Sequence, residues 1–304
     1  MIYTVTLNPS IDYHVRINHL KIGELNRAEE TLYFPGGKGI NVSRVLKRLG
    51  IDSVVLGYAG GFTGDFLKNA LISENIAIDF TEVEEPTRIN IKLKGDQETE
   101  INGNGPAISK EKQEKLLSKI SSLNKDDVLV LAGSLPPTVP ENFYETIASI
   151  CQEREIPFVV DTSGPSLKRL IPMGPFLIKP NHHELGELFH VNIETVEDAI
   201  KYGKKLQNEG ARNVIVTMGG NGAVLINADH TVLAKVPKGN VKNTVGAGDS
   251  TVAGFLASYI QNHDAIKAFQ HGVSAGSATA FSEDLCTKES VEQLLPNIRL
   301  EIYR

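Results

Sequence analysis

The stretch NTVGAGDS, residues 243–250, sets two glycines and one carboxylate, Asp249, directly before an apolar run with helical spacing. Glycines let a backbone approach a ligand closely, and the first amide groups of a helix have no partner inside the helix. These amides and the helix dipole together favour an anion such as phosphate. A carboxylate there can take a proton from a hydroxyl while the amides hold a transferring phosphoryl group. The alternative is an ordinary helix cap, and this segment alone does not decide.

Two further stretches place polar residues where a sugar could be held. FPGGKGIN, residues 34–41, puts glycines before an amphipathic helix, with Lys38 and Asn41 on one helical face. NPSID, residues 8–12, leaves the first predicted strand and ends on Asp12, whose carboxylate can accept hydrogen bonds from two hydroxyls. A glycine turn with a solvent-facing lysine is the alternative for the first stretch, and a plain turn is the alternative for the second.

Two more stretches have the composition of a nucleotide site. IKPNHHE, residues 178–184, sets Asn181 and Glu184 three residues apart at a helix start, where they could organise a hydrated Mg²⁺. TMGGNGAV, residues 217–224, follows a strand end. Its backbone amides could cradle phosphates, or the stretch could be a tight hairpin into the next strand.

The elements that position these residues alternate along the chain. Short runs rich in Val, Ile and Leu predict strands buried on both faces, at 2–7, 53–58, 128–132, 157–161, 176–179 and 213–217. Amphipathic patterns predict helices at 37–50, 110–121, 140–154, 194–209 and 247–260. Alternating strands and helices indicate a parallel α/β sheet covered on both sides.

Two regions break this alternation. Residues 11–34 and 88–103 approach a period of two, as half-exposed strands do. They predict an antiparallel β flap that interrupts the α/β core. Such a flap could be a lid, an oligomer interface or both, and the alternative is a plain extension of the main sheet.

The composition disfavours several classes of function. The 304 residues carry a formal net charge of -6, which argues against nonspecific nucleic-acid binding. The two cysteines form no CxxC pattern, so no disulfide framework or zinc site is indicated. P-loop and dinucleotide-binding glycine motifs are absent, which disfavours P-loop kinases and Rossmann dehydrogenases. Neither a signal-peptide pattern nor a long apolar run occurs, so we expect a cytoplasmic protein without a membrane partner.

Taken together and in this order, the motifs resemble the ribokinase-like sugar kinases of the PfkB family over the whole chain. The two signatures are GGKGIN at 36–41 and NTVGAGDS at 243–250, and NPSID, GSLPP at 133–137, KPN and the glycine loop fall where that family has them. Many members carry Asp-Thr before the second signature's glycines, whereas this chain has Asn243 and Thr244, as is common in the phosphosugar branch. The resemblance implies an α/β, three-layer ribokinase-like fold with a mostly parallel central sheet and a small β-sheet lid, in one domain over 1–304.

The resemblance also implies a role for each matched residue. Asp249 would be the catalytic base, beside an anion hole formed by Gly246, Ala247 and Gly248. The sugar would be bound by Asp12, Gly37, Lys38 and Asn41, and its existing phosphate by Arg88, Asn90 and Arg27. The nucleotide would be bound by Lys179, Asn181, Thr217, Gly219, Gly220, Gly222 and Gly248, with Glu184 on the Mg²⁺ side.

The stretch TRINIKL, residues 87–93, favours one branch of the family. That branch implies transfer of phosphate from ATP, with Mg²⁺, to fructose 1-phosphate, giving fructose 1,6-bisphosphate. The resemblance to the family also implies that the flap acts as a lid and forms a homodimer contact. A tagatose-6-phosphate or fructose-6-phosphate kinase of the same family stays open. So do a nucleoside or free-sugar kinase and a ligand-sensing protein that has kept the fold.

Overall fold

The computed structural model of the protein describes residues 1–303, which contain fifteen strands in two sheets. In chain order they are β1 (Ile2–Thr6), β2 (Ser10–Arg16), β3 (Glu30–Gly36), β4 (Ser53–Gly60), β5 (Ala77–Ile78), β6 (Thr81–Val83), β7 (Arg88–Lys94), β8 (Glu98–Asn102), β9 (Val128–Ala132), β10 (Phe158–Asp161), β11 (Leu177–Ile178), β12 (Asn213–Thr217), β13 (Ala223–Asn227), β14 (Thr231–Lys235) and β15 (Arg299–Tyr303).

The large sheet has the order β15-β14-β13-β12-β11-β10-β9-β1-β4-β5, with β6 also paired to β4. Neighbours from β12 across to β5 run parallel, whereas β13, β14 and β15 are antiparallel. The central strands are almost wholly buried, and β9 and β10 carry apolar residues on both faces. Such strands need helices on both sides of the sheet.

Ten α-helices occur in residues 1–303: α1 (Lys38–Arg48), α2 (Gly61–Ser73), α3 (Lys110–Ile120), α4 (Phe143–Glu153), α5 (Gly164–Leu170), α6 (His182–Phe189), α7 (Val196–Asn208), α8 (Ala247–Asn262), α9 (Ala265–Ala280) and α10 (Lys288–Leu294). Helices α3 to α7 bury their apolar residues in one core, and α1, α8, α9 and α10 bury theirs in a second core on the other side of the sheet. The result is three layers. None of these helices has the length and apolar character that crossing a bilayer requires.

A separate small sheet has the order β3-β2-β7-β8. Paired residues on neighbouring strands point to the same face, and Asp12 pairs with Asn90 while Ser10 pairs with Arg88. These four residues define the polar face of the small sheet. The apolar face carries the residues that alternate with them, among them Tyr13, Tyr33, Ile89, Ile91 and Ile101.

The six strands and five helices predicted from the sequence are all present, with ends that shift by a few residues. The predicted flap regions, 11–34 and 88–103, supply the small sheet, but the expectation of a fully antiparallel flap is wrong. β2 and β7 run parallel, because the chain returns through β4 and α2 before it forms β7. The short strands β5 and β6 are not predicted, since two or three residues show no period. Strand β14 and the edge strand β15 are also not predicted, since their pairing is a long-range property.

Candidate active site

Polar residues from several strands meet at one edge of the large sheet. Asp161 is the last residue of β10, Lys179 follows β11, and Thr217 ends β12. These are the carboxyl ends of parallel strands, outside which ligands bind in open α/β sheets. The candidate site therefore lies where this topology places ligands.

The turn at residues 246–249 opens onto this edge. Gly246 precedes α8 with φ 78°, in the left-handed region, and no side chain caps the helix. The Ala247 amide donates a long hydrogen bond to Thr244 O at 3.3 Å. Gly248 and Asp249 lie in the first helical turn, which offers no intrahelical acceptor for their N–H groups. The helix N-terminus therefore lies where the anion hole was predicted, and the Gly248 and Asp249 amides are its freest donors.

Asp249 is a buried acid held by the helix that carries the other signature. Asp249 is only 6% exposed, and its Oδ2 accepts a hydrogen bond from Asn41 Nδ2 at 2.8 Å. Burial, followed by the negative charge of Asp161, raises the pKa of Asp249 to about 7, against the opposing effect of Lys38. A carboxylate with that pKa is suited to accept a proton near neutral pH.

Asp161 lies between two lysines at the centre of the site. It is 1% exposed, and its Oδ1 accepts a hydrogen bond from Lys38 Nζ at 3.2 Å and lies 3.4 Å from Lys179 Nζ. Burial opposes ionisation of Asp161, but the two ammonium groups outweigh it and hold the pKa below its ordinary value. The charge of Asp161 in turn raises the pKa of Lys38, although burial acts against it.

The polar face of the small sheet brings Asp12 and Asn90 over this edge. Asp12 Oδ1 accepts hydrogen bonds from Ser10 Oγ at 2.8 Å and from Asn90 Nδ2 at 3.1 Å. A Cβ on Gly36 would lie 2.5 Å from Asp12 Cγ, so a side chain there would displace this carboxylate. Asn90 Oδ1 is buried without a hydrogen-bond partner within residues 1–303. These oxygens suit the hydroxyl donors of a sugar.

Gly37 and the start of α1 connect the two sides of the site. Gly37 is the residue before α1, with φ 122°, and a Cβ there would lie 2.6 Å from Thr6 Cγ2. Glycine at this position therefore lets the start of α1 pack closely against β1, which places Lys38 and Asn41 at the site. A small cavity lined by residues including Asp12, Asn41 and Val245 lies between α1 and the small sheet.

Two arginines were expected to bind the sugar phosphate, and only Arg88 lies near the other site residues. Arg88 donates from Nε to Asn8 O at 3.1 Å and from Nη1 to Gly103 O at 3.0 Å. Part of its guanidinium thus ties the small sheet to the end of β1. Arg27 lies exposed in the loop between β2 and β3 and makes no ion pair within residues 1–303. The structure does not bring Arg27 to the other site residues.

The residues expected on the nucleotide side lie together. Asn181 caps α6, because its Oδ1 accepts from the Glu184 amide at 2.8 Å while Glu184 Oε2 accepts from the Asn181 amide at 2.8 Å. Thr217 forms a β-bridge with Asn181. In the turn after β12, Cβ atoms on Gly219 and Gly220 would meet nothing within 4 Å. Packing explains why residue 222 is glycine, since a Cβ there would lie 2.1 Å from Ala234 O.

Asp161 is the site residue that sequence reasoning misses. The predicted strand 157–161 ends on it, and an acid closing a buried strand is the signal that could have found it. No recognised motif surrounds it, and its partners are 123 and 18 residues away in the chain.

A larger open groove of about 790 Å³ lies beside the site, between α6 and the turn after β12, and is lined by His182, Met218 and Asn221 among others.

Comparisons with known proteins agree over the full length. The family described as pfkB family carbohydrate kinase matches residues 5–291. The chain is 52% identical over 300 residues to the 1-phosphofructokinase of Bacillus subtilis, covering 99% of both chains. It is 37% identical over 301 residues to the D-tagatose-1-phosphate kinase of Bacillus licheniformis, covering 99% of both. The crystal structure of phosphofructokinase-2 from Escherichia coli in complex with substrates and products superimposes with a TM-score of 0.93 at 29% identity, covering 98% of this chain and 99% of that one.

Proposed function

The chain belongs to the pfkB family of carbohydrate kinases, and from that premise we propose that it transfers the γ-phosphate of ATP to fructose 1-phosphate, giving fructose 1,6-bisphosphate and ADP. The substrate assignment is carried by one observation, the 52% identity to a 1-phosphofructokinase over 300 residues. The site geometry supports the chemistry independently, because a buried acid stands beside unpartnered amides of a helix N-terminus.

Asp249 would act as the base. The substrate's primary hydroxyl loses its proton to the carboxylate as its oxygen bonds to the γ-phosphorus, and the bond from that phosphorus to the β–γ bridging oxygen breaks to release ADP. The amides of Gly246, Ala247, Gly248 and Asp249 would hold the charge on the transferring group. Because Asn41 fixes the carboxylate by a 2.8 Å hydrogen bond, the base is oriented before substrate arrives.

The sugar would lie between α1 and the polar face of the small sheet. Asp12 and Asn90 present acceptors for its hydroxyls, and Gly37 aims Lys38 and Asn41 at it. Arg88 would bind the existing phosphate with the guanidinium donors that its two backbone carbonyls leave free. Arg27 is proposed as a second phosphate ligand only if its exposed loop closes over the site.

The nucleotide would lie across the ends of β11 and β12. Its phosphates would meet Lys179, Asn181, Thr217 and the turn that contains Gly219, Gly220 and Gly222. No group of three or more acidic, histidine or cysteine side chains within residues 1–303 is arranged to hold a metal ion. That fits Mg²⁺ bound chiefly through phosphates and water, with Glu184 as the nearby carboxylate. When bound, Mg²⁺ would neutralise phosphate charge.

The small sheet would serve as a lid and as a dimer contact. Its polar face carries the sugar-side residues, so closing it would exclude water that could otherwise hydrolyse ATP. Its apolar face leaves Tyr33 56%, Ile89 41% and Ile101 58% exposed. Apolar side chains clustered on one face of a sheet favour burial against a partner, and we propose a second copy of this chain.

D-Tagatose 1-phosphate is the second candidate substrate, and the relative from Bacillus licheniformis favours it. It differs from fructose 1-phosphate only in the configuration of one ring carbon. One misplaced hydroxyl against Asp12 or Asn90 would leave a buried polar group unpaired, which can discriminate strongly. Tagatose 6-phosphate and fructose 6-phosphate, the alternatives expected from the sequence, should be assayed alongside the 1-phosphates.

A panel of phosphosugars with ATP and Mg²⁺ tests the proposal, with ADP release as the measurement. Fructose 1-phosphate should give the highest kcat/KM, ahead of tagatose 1-phosphate, fructose 6-phosphate and tagatose 6-phosphate. Unphosphorylated fructose is the control for phosphate recognition. A higher kcat/KM for any other sugar would reassign the substrate, and equal rates with and without the phosphate would remove the phosphate site.

A further inference from the structure

We propose that Asp161 is a positioning residue that holds the ammonium groups of Lys38 and Lys179 at the two sides of the phosphoryl-transfer path. The proposal rests on the kinase chemistry proposed above, but it does not depend on which phosphosugar is preferred. Nothing in the comparisons assigns a role to this residue.

The two lysines reach Asp161 from opposite sides of the site. Lys38 begins α1, which carries the sugar-side residue Asn41, whereas Lys179 follows β11 on the nucleotide side. A Cβ on Gly248 would lie 2.9 Å from Lys179 Nζ, so this ammonium group lies directly against the anion-binding turn. One carboxylate oxygen therefore links a cation at the sugar to a cation at the turn.

The negative charge of Asp161 offsets the repulsion between the two lysines. Two ammonium groups that converge in a buried site repel each other, and a buried charge is costly unless it is paired. Asp161 Oδ1 lies within 3.4 Å of both. It thus keeps the two cations inside the site before any phosphate arrives, so less reorganisation is needed when the triphosphate binds.

The side chain of Asp161 has no evident part in holding the sheet. Its backbone already pairs with Ala132 of β9, and its carbonyl accepts from the Gly133 amide at 3.1 Å. Its second carboxylate oxygen is buried without a hydrogen-bond partner within residues 1–303. An acid kept in the core at this expense, and bonded only to site lysines, points to a role in the site.

The first test is a double-mutant cycle on turnover. Asp161→Asn keeps the shape and removes the charge, and it should lower kcat by about 10–100-fold with KM for ATP changed by less than about threefold. In a Lys38→Met background the same change should cost less than about fivefold, because part of its effect acts through that lysine. The full loss in both backgrounds would overturn the proposal.

Asp127→Asn is the matched control. Asp127 is also a buried acid, paired with the amino terminus at 3.0 Å, but it lies at the opposite edge of the same sheet, before β9. It should lower the melting temperature at least as much as Asp161→Asn does and leave kcat unchanged. If the two variants affected kcat equally, Asp161 would be structural and the proposal would be wrong.

A second readout needs no substrate. Two carboxylates lie beside Lys38 Nζ, Asp161 at 3.2 Å and Glu184 at 3.9 Å. Asp161→Asn removes the nearer one, so labelling of Lys38 by acetic anhydride, followed by mass spectrometry, should rise by about tenfold in Asp161→Asn and stay constant in Asp127→Asn. Unchanged labelling would overturn the proposal. Because this readout is independent of activity, a wrong phosphosugar would leave the result intact and the two proposals fail separately.

Discussion

At the residue scale, the surroundings of Asp249 withhold the water that would stabilise its charged form. It is almost fully buried, near a second acid, and hydrogen-bonded to a neutral amide rather than to a cation. Burial and the charge of the second acid, Asp161, favour the protonated form, whereas the hydrogen bond from Asn41, the helix N-terminus and two nearby lysines favour the charged form. The balance leaves a carboxyl whose pKa is near the pH at which it must accept a proton.

The pH dependence of turnover should report this carboxyl. Because burial and Asp161 raise its pKa to about 7, Asp249 is protonated and inactive as a base below that pH. We expect kcat/KM to rise with pH, tenfold per unit below about 7, and to level above it. The measurement is kcat/KM for the preferred phosphosugar at saturating ATP. A profile already flat across neutral pH would exclude Asp249 as the titrating base.

Arg88→Ala should mainly weaken binding of the phosphosugar. We expect KM for the sugar to rise by about 10–100-fold, because a charge-assisted pair is lost, with a smaller change in KM for ATP. Arg88 also ties the small sheet to Asn8 and Gly103, so the melting temperature should fall too.

Arg154→Ala is the control for that variant, since Arg154 also binds a backbone carbonyl, Leu123 O, at 3.1 Å. It should lower stability and leave KM for the sugar unchanged. An unaltered preference for phosphosugar over free fructose in Arg88→Ala would show that the phosphate is bound elsewhere.

At the element scale, the turn before α8 depends on one backbone conformation. Gly246 has φ 78°, and a Cβ there would lie 2.5 Å from Leu285 Cδ2. Gly246→Ala should therefore cost about 1–2 kcal/mol of stability through the left-handed backbone alone, and should also displace the amides. We expect kcat to fall by about 10²-fold, as when one anion-hole donor is lost.

Gly174→Ala separates backbone strain from function. Gly174 has φ 72° at the end of a short 3₁₀ turn, and a Cβ there would meet nothing within 4 Å. Gly174→Ala should lose the backbone contribution alone in urea unfolding, and Gly246→Ala at least that much, but only Gly246→Ala should lose activity. Full turnover in Gly246→Ala would mean that the turn does not hold the transferring group.

The elements that carry the site were predictable because each has a local cause. Lys38 and Asn41 share a helical face, Gly246 must precede a helix, and buried parallel strands read as runs of Val, Ile and Leu. The parallel pairing of β2 with β7 was not predictable, since it depends on the path of the chain between them.

At the scale of the whole molecule, the site is assembled from distant segments. Asn41 and Asp249 are 208 residues apart, and Lys38 and Asp161 are 123 apart. Sequence motifs predicted that most of these residues act together, but only the fold shows which atoms touch. Asp161 belongs to no motif, so its role emerges only from the contacts. The net charge of -6 does not oppose anion binding, because Lys38 and Lys179 act locally.

Ile101→Glu should convert the proposed dimer into a monomer. Ile101 is 58% exposed on the apolar face of the small sheet, and a charge there would be costly to bury between two copies. Sedimentation analysis of the full chain gives the mass. Ile302→Glu, at the far edge strand β15, is a control with similar exposure, 65%, and should leave the dimer intact. A wild-type chain that sediments as a monomer, or a dimer that survives Ile101→Glu, would contradict this interface.

The single-turnover rate of phosphoryl transfer in Asp249→Asn tests the central claim most directly. The substitution keeps the shape and the contact with Asn41 but cannot accept the hydroxyl proton. We predict a transfer rate lower by about 10²–10⁴-fold, with the Kd of ATP and of the phosphosugar changed by less than about threefold. A variant that folds, binds both substrates and transfers phosphate within about tenfold of the wild-type rate would contradict Asp249 as the base.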